Sequence, residues 1–128
     1  GLLSGKYARN SSVKGARWQD GKDNANRRTT EQTWAVLDLL QEMAHNKNCS
    51  MSQLALAWNM AQPGVTAPII GPRTFVQAED NLGAVNVVMT AEDFRRIDEL
   101  VPPKGYIVRY YDEANAIDFR PSIQRSIV

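Results

Sequence analysis

The spacing of apolar residues predicts four helices in the middle of the chain. Apolar side chains recur there every three or four residues, as they do on the buried side of a helix. The second helix is apolar on almost all of its surface, so it needs cover on more than one side. The predicted helices cover residues 30 to about 44, 53–62, 74–85 and 90–100.

Residues suited to capping stand where three of these helices begin. In a capping box, a Ser or Thr side chain and the side chain three residues later each accept a hydrogen bond from the other residue's backbone N–H. Ser52 is a rival N-cap for the second helix. The predicted boxes pair Ser50 with Gln53, Thr74 with Gln77, and Thr90 with Asp93.

The apolar run VTAPII, residues 65–70, predicts a strand buried on both faces, as in a parallel sheet. Pro68 counts against this interpretation, because proline lacks the N–H that a strand donates to its neighbour. A single strand cannot form a sheet. Either the assignment is wrong, or the neighbouring strands belong to another piece of chain.

Composition and charge exclude several classes of protein. The net charge is +1, from 15 basic and 14 acidic residues, so the chain has no overall attraction to nucleic acid. Cys49 is the single cysteine, which rules out an intrachain disulfide and fits a reducing compartment. No apolar run approaches the roughly 18 residues of a membrane span, and no signal-peptide pattern is present. We therefore expect a cytoplasmic chain with neither nucleic acid nor membrane as a partner.

Arg73 stands where the third helix begins, beside the positive end of the helix dipole. When exposed, this placement costs a few tenths to about 1 kcal/mol. The free N–H groups of a first helical turn bind phosphate, and a guanidinium matches phosphate oxygens. Gly71 would let a ligand approach the backbone, and the amides of Gln77 and Asn81 follow on one helix face. In the alternative interpretation, Arg73 is solvated, Gln77 only caps the helix and Asn81 is an ordinary surface residue.

Other residues have simpler interpretations. Trp34 and Trp58 lie on helical stripes and are predicted to be core residues, and the charges of residues 93–96 are predicted to be solvated. His45 is predicted to interact favourably with the dipole at a helix C-terminus. Trp18, in a loop rich in Gly and Asn, is either a loop residue or part of a lid.

The sequence from Ser52 to Leu100 closely resembles the C-terminal region of the aldo-keto reductases, and GLLSGKY resembles the segment after their seventh barrel strand. The agreement in order, spacing and residue type extends over residues 1 to about 101. The resemblance implies an α/β fold, the C-terminal part of a (β/α)8 TIM barrel, mostly helical here with about one barrel strand. The resemblance implies three parts: a cofactor-side loop (residues 1–30), helices with the last strand (residues 31–101) and a C-terminal tail (residues 102–128).

The family uses NADP(H) to reduce aldehydes and ketones by hydride transfer. The resemblance implies that Arg73 binds the 2′-phosphate of the adenosine ribose, while Gln77 and Asn81 contact the phosphate and the adenine. Asp80 stands where the family more often has the longer glutamate, so its role is carried over only weakly. The implied cofactor-binding residues are Gly1, Leu2, Ser4, Lys6, Gly71, Pro72, Arg73, Thr74, Gln77 and Asn81.

The catalytic Asp, Tyr, Lys and His of the family come from earlier barrel strands, which have no counterpart in this sequence. His45 does not stand in that context, and neither do Tyr7, Tyr106, Tyr110 and Tyr111. We therefore expect no catalytic residue and no metal ligand here, an isolated chain without reductase activity, and a small carbonyl substrate only for the full-length parent.

Two further hypotheses stay open. The chain could be a non-catalytic assembly unit that self-associates through apolar faces of residues 53–62 and 65–70. It could also be a small helical phosphate-binding module unrelated to the reductases, and residues 65–70 would then lie inside a helix.

Overall fold

The computed structural model describes residues 1–9, 29–103 and 105–107, and the secondary structure within these ranges is helical. The four predicted helices are confirmed. Two short 3-10 turns, Leu2–Ser4 and Gly83–Asn86, accompany them. None of the described helices combines the length and apolar character that crossing a membrane requires. The helices are α1 (Glu31–Asn46), α2 (Met51–Met60), α3 (Phe75–Leu82) and α4 (Ala91–Leu100).

Two of the three predicted capping boxes are complete. At α2, the Gln53 N–H donates to Ser50 Oγ and the Ser50 N–H donates to Gln53 Oε1, both at 3.1 Å. Ser50, and not its rival Ser52, is therefore the N-cap. At α4, the N–H of Asp93 donates to Thr90 Oγ1 at 3.2 Å, and the N–H of Thr90 donates to Asp93 Oδ2 at 2.7 Å. Each such cap contributes about 1 kcal/mol to helix stability.

The core forms where α1, α2 and α4 pack together. Leu54 of α2 is fully buried, and α1 supplies most of the other apolar side chains. Trp34 and Trp58 pack against this cluster from its edge, which confirms their predicted core role. The buried cluster consists of Leu37, Leu40, Met43, Ala44, Met51, Leu54 and Ile97.

The prediction that the charges of residues 93–96 are solvated is wrong for Asp93. Its carboxylate is buried and lies 2.8 Å from Lys47 Nζ, which also donates to the Val88 carbonyl at 3.0 Å. Burial by itself would raise the pKa of Asp93, but hydrogen bonds from Lys47 and Thr90 outweigh it and lower that pKa. The sequence pattern missed this pair because the packing of α4 on α1 brings the two residues together.

Residues 65–70 do not form the predicted strand, so the expectation of one barrel strand is wrong for the described part of the chain. Ile69 is fully exposed there. A strand forms only when a neighbour accepts and donates its ladder hydrogen bonds, and no described residue is in a strand. Pro68 removes one donor in addition. Residues 65–70 also lie outside the described helices. The hypothesis of an unrelated helical phosphate-binding module would place them inside a helix, so the structure does not favour it.

The apolar stripe of α3 is present as predicted, but the described chain does not cover it. Phe75 is 82% exposed, Leu82 64% and Val85 72%. No residue of α3 itself is buried, and only Ala84 in the following 3-10 turn reaches the interior. α3 therefore presents its apolar side outward.

Candidate functional site

Thr74 is the N-cap of α3, and its Oγ1 accepts a hydrogen bond from the Gln77 N–H at 3.2 Å. The side chain of Gln77 does not return to Thr74. Its Oε1 accepts from the backbone N–H of Arg73 at 2.8 Å. The predicted capping box between Thr74 and Gln77 is therefore only half formed, which corrects the prediction. The N-cap backbone has φ −132° at Thr74 but φ −77° at Ser50, so a different N–H faces the glutamine.

The guanidinium of Arg73 is exposed, and no carboxylate of the described residues forms an ion pair with it. Helix geometry leaves the N–H groups of Phe75 and Val76 without acceptors inside α3. The positive end of the helix dipole lies at the same place. A free guanidinium and open N–H groups thus meet at one exposed helix end.

These residues fit a phosphate group. An anion between Arg73 and the first turn of α3 would bind both a cation and backbone donors, as anions commonly do at helix N-termini. Gln77 Oε1 accepts from the Arg73 N–H, which leaves the Nε2 group of the same amide as a donor without a partner among the described residues.

Asn81 lies one turn beyond Gln77 and is half-buried, while Asp80 is directed toward α2. The Asp80 carboxylate accepts from Ser50 Oγ at 2.9 Å, and its carbonyl accepts from Gln53 Nε2 at 2.8 Å. Sequence reasoning missed these contacts, because no local pattern links residues that far apart in the chain.

The opening segment forms a compact turn. Ser4 Oγ donates to the Gly1 carbonyl at 2.8 Å and closes the 3-10 helix, while Leu2 packs against the core. Lys6 is exposed, and its Nζ lies 5.3 Å from the centre of the Tyr7 ring. The amine of Lys6 is thus available at the surface.

The first turn of α2 contacts both parts of the predicted cofactor site. Gly5 has φ +72°, and a methyl group on it would lie 3.1 Å from Met51 Sδ, so the opening segment packs closely on Met51. Ser50 binds Asp80 of α3. Of the predicted site residues only Leu2 and Asn81 are partly buried; the exposed ones are Gly1, Ser4, Lys6, Gly71, Pro72, Arg73, Thr74 and Gln77.

A groove of about 420 Å³ lies between the opening segment and α1, lined in part by Trp34 and Asp38. Arg9 lies across it, with its guanidinium 2.7 Å from Glu31 Oε2 and 5.6 Å from the Trp34 ring centre. Because carboxylates already neutralise Arg9, this groove lacks the free cation found at α3.

Two chemistries find no support in the described residues. No group of three or more His, Cys, Asp or Glu side chains there could hold a metal ion. Cys49 is half-buried, and burial raises the pKa of its thiol, which keeps it protonated and poorly nucleophilic near neutral pH. Trp18, and the tail residues Tyr110 and Tyr111, lie outside the described residues.

The structure therefore defines a helical protein, within its described residues, with an exposed arginine beside a helix N-terminus. The sequence model described as "Aldo/keto reductase family" matches residues 1–102. The chain belongs to the aldo/keto reductase family.

Three curated relatives match this chain over part of their own length. The chain is 38% identical over 68 residues to "Uncharacterized oxidoreductase YrpG" of Bacillus subtilis, covering 53% of this chain and 20% of that protein. It is 32% identical over 78 residues to "Versiconal hemiacetal acetate reductase" of Aspergillus parasiticus, covering 61% and 22%. It is 31% identical over 108 residues to "Probable voltage-gated potassium channel subunit beta" of Oryza sativa, covering 81% and 33%. The matches thus span a fifth to a third of each relative.

Proposed function

We propose that this chain is the NADP(H)-binding C-terminal portion of an aldo/keto reductase, whose complete barrel reduces aldehydes or ketones. The observation that carries the proposal is the exposed guanidinium of Arg73 at the N-terminus of α3, which forms no ion pair with a carboxylate of residues 1–9, 29–103 or 105–107. Family membership supports an oxidoreductase function. Relatives named as an oxidoreductase and as a reductase support the type of reaction.

The 2′-phosphate of the cofactor would bind between Arg73 and the first turn of α3, with Gln77 Nε2 as a further donor. Asn81 would contact the adenine. The opening segment, with Ser4 and Lys6, would lie along the pyrophosphate, where an ammonium group offsets negative charge. When bound, the cofactor supplies the hydride; the residues of this chain bind and orient it.

The rest of the reductase would complete the fold and the chemistry. The exposed Ile69 and the outward stripe of α3 are surfaces that the remaining elements of a (β/α)8 barrel would cover. The catalytic Asp, Tyr, Lys and His would come from that remaining part, together with the pocket for a small carbonyl substrate.

Calorimetric titration with a matched pair of ligands tests the phosphate site. We expect 2′-phospho-AMP to bind the wild-type chain more tightly than AMP, and Arg73→Ala to remove this preference. A charge-assisted hydrogen bond contributes about 1.5–3 kcal/mol, which corresponds to a loss of about 10- to 100-fold. Arg95→Ala is the matched control, because it removes an exposed arginine from α4. Equal affinity of the wild type and Arg73→Ala for 2′-phospho-AMP would refute the phosphate role.

A turnover assay tests whether the catalytic residues lie outside this chain. The 128-residue chain, supplied with NADPH and an aldehyde, should show no reductase activity, because the proposed catalytic residues lie elsewhere. Measurable turnover would contradict the assignment of this chain to the cofactor-binding portion alone.

A second candidate function is assembly, and the uncovered apolar surface favours it. The sequence placed this surface on residues 53–62 and 65–70. In the structure α2 contributes mostly half-buried side chains, so the exposed patch shifts toward α3. One relative is named as a channel subunit, which is by nature part of an assembly. The exposed large apolar side chains between residues 69 and 88, here called the patch, are Ile69, Ile70, Phe75, Val76, Leu82, Val85 and Val88.

Sedimentation over a range of concentrations tests this candidate. If the chain self-associates through the patch, Phe75→Ser with Leu82→Ser should shift it toward monomer. The control Leu3→Ser, which alters another exposed leucine, should not. A wild-type chain that is monomeric throughout the range would exclude self-association.

A further inference from the structure

α3 is attached to α2 by polar contacts rather than by a buried apolar face. None of the eight residues of α3 is buried. Besides the buried Ala84 of the following 3-10 turn, the attachment runs through the Asp80 contact, which we define as Ser50, Gln53 and Asp80. Ser50 Oγ donates to the Asp80 carboxylate at 2.9 Å, and Gln53 Nε2 donates to the Asp80 carbonyl at 2.8 Å. The direction of α3 relative to α2 therefore depends on these hydrogen bonds.

The α2 side of this contact is itself fixed. Gln53 Oε1 accepts from the Ser50 N–H, so the amide cannot rotate without opening the capping box of α2. The backbone of Gly83 comes so close that a methyl group on it would lie 2.4 Å from Gln53 Nε2. The Asp80 carboxylate also lies at the positive end of the α2 dipole, which favours its charge.

We propose that Asp80 is a positioning residue of the phosphate site, acting through the Asp80 contact. This inference rests on the proposed function, because Arg73 and Gln77 at the other end of α3 are the groups that would bind the phosphate. Phe75, where α3 begins, lies five positions before Asp80, which is about 7.5 Å along the helix, and Arg73 lies two positions further from Asp80. A tilt of about 10° around the contact would move the Arg73 end by about 2 Å, given that helical rise. Such a displacement is enough to break a hydrogen bond to a phosphate oxygen.

When Asp80 is substituted, the loss of its charge and the loss of its hydrogen bond should have opposite effects on phosphate binding. A carboxylate on α3 repels a phosphate at the same helix, so the loss of charge alone should tighten binding. Loss of the Ser50 hydrogen bond should weaken binding, because only the Gln53 bond to the backbone carbonyl of residue 80 then remains of the contact that orients the Arg73 end of α3. Glu79, the exposed acidic neighbour, is the matched control, because it carries the same charge on the same helix and contributes no hydrogen bond to the Asp80 contact.

The test is the affinity of the 128-residue chain for 2′-phospho-AMP, measured by calorimetry where circular dichroism shows each variant to be folded. Asp80→Ala should bind about tenfold more weakly, which corresponds to about 1.4 kcal/mol. Asp80→Asn should bind as the wild type does or more tightly, because its side-chain oxygen can still accept from Ser50 Oγ while the repelling charge is removed. Glu79→Ala should bind 2′-phospho-AMP as tightly as the wild type or more tightly.

Ser50→Ala should weaken binding too. The Ser50→Ala/Asp80→Ala double variant should bind no more weakly than Asp80→Ala, because both substitutions remove the same hydrogen bond. Unchanged or tighter binding by Asp80→Ala would overturn the proposal.

A measurement without ligand separates this proposal from the proposed function. In amide NMR spectra, Asp80→Ala should shift the signals of Arg73 and Thr74, while Glu79→Ala should leave them in place. If the wild type fails to bind 2′-phospho-AMP, the proposed function is wrong, and these shifts still decide the role of Asp80. Unchanged Arg73 and Thr74 signals in Asp80→Ala would overturn the proposed positioning role of Asp80.

Discussion

The side chain of Gln77 holds the backbone of Arg73, with Gln77 Oε1 accepting from the Arg73 N–H at 2.8 Å. This hydrogen bond fixes the chain just before α3 and orients the glutamine amide at the same time. The residue proposed to bind phosphate is therefore placed by another residue of the proposed site. Two substitutions at residue 77 separate these roles.

Gln77→Met removes the acceptor and both donors while keeping the length of the side chain. We expect affinity for 2′-phospho-AMP to fall about 5- to 30-fold, because one or two hydrogen bonds of about 1 kcal/mol each are lost. Gln77→Glu keeps the acceptor for the Arg73 N–H but adds a charge that repels phosphate, so it should weaken 2′-phospho-AMP binding more than AMP binding. Calorimetry with both ligands measures this difference. If Gln77→Glu binds both ligands as the wild type does, the side chain does not face the phosphate.

The pair of Lys47 and Asp93 joins the end of α1 to the start of α4. The two side chains are only 22% and 12% exposed, so solvent screens them weakly. Lys47→Met leaves the Asp93 carboxylate with only its Thr90 bonds. We expect the free energy of unfolding at pH 7 to fall by about 1–3 kcal/mol, less than for a fully buried pair. Urea denaturation measures this loss, and Arg96→Met, which breaks a more exposed pair with Glu42, should cost about 0.5 kcal/mol or less.

Acid should weaken the fold through the same aspartate. The pKa of Asp93 is lowered in the folded chain from an ordinary value of 3.8. The stability that this ionised carboxylate contributes is therefore fully present above that value, and it is lost as the pH falls below it through the lowered pKa. Urea titrations between pH 2 and pH 7 should show a steeper loss below about pH 4 in the wild type than in Lys47→Met. Equal slopes would show that the pair does not form in solution.

Leu54 on α2 is the most buried side chain of the described core. Leu54→Ala should lower the free energy of unfolding by about 2–5 kcal/mol, because it removes buried apolar area and leaves a cavity. Leu82→Ala is the matched control, since Leu82 is largely exposed and its loss should cost about 0.5 kcal/mol or less. Comparable losses in the two variants would mean that α3 is covered in solution, contrary to the structure.

Gly83 lies against Gln53 without room for a side chain. Gly83→Ala should destabilise the chain by about 1 kcal/mol, because the methyl group must displace the Gln53 amide from its hydrogen bonds. Gly71→Ala is the control for stability, since a methyl group there meets no atom within 4 Å. Thermal unfolding followed by circular dichroism compares the two. If Gly83→Ala is instead more stable than the wild type, the higher helix propensity of alanine outweighs its close contact with Gln53.

The local signals in the sequence were sufficient for the helices and for most of their caps. Apolar spacing predicted α1 to α4, and Ser50 with Gln53 and Thr90 with Asp93 form the predicted boxes. The caps were predictable because both partners lie within one helical turn. The position of Arg73 at a helix N-terminus was predictable for the same reason.

The tertiary structure decided what depends on distant partners. Residues 65–70 have strand-forming side chains, but a strand requires neighbours that no described residue provides. Phe75 and Leu82 form an apolar stripe, yet whether a stripe is buried depends on what packs against it. The contacts of Asp80 with Ser50 and of Lys47 with Asp93 join residues that no periodicity connects. The sequence by itself thus determined the helices, their capping residues and the cation at the start of α3. Only the folded chain decided which charges are buried and how α3 is attached to α2, because both depend on contacts between residues far apart in sequence.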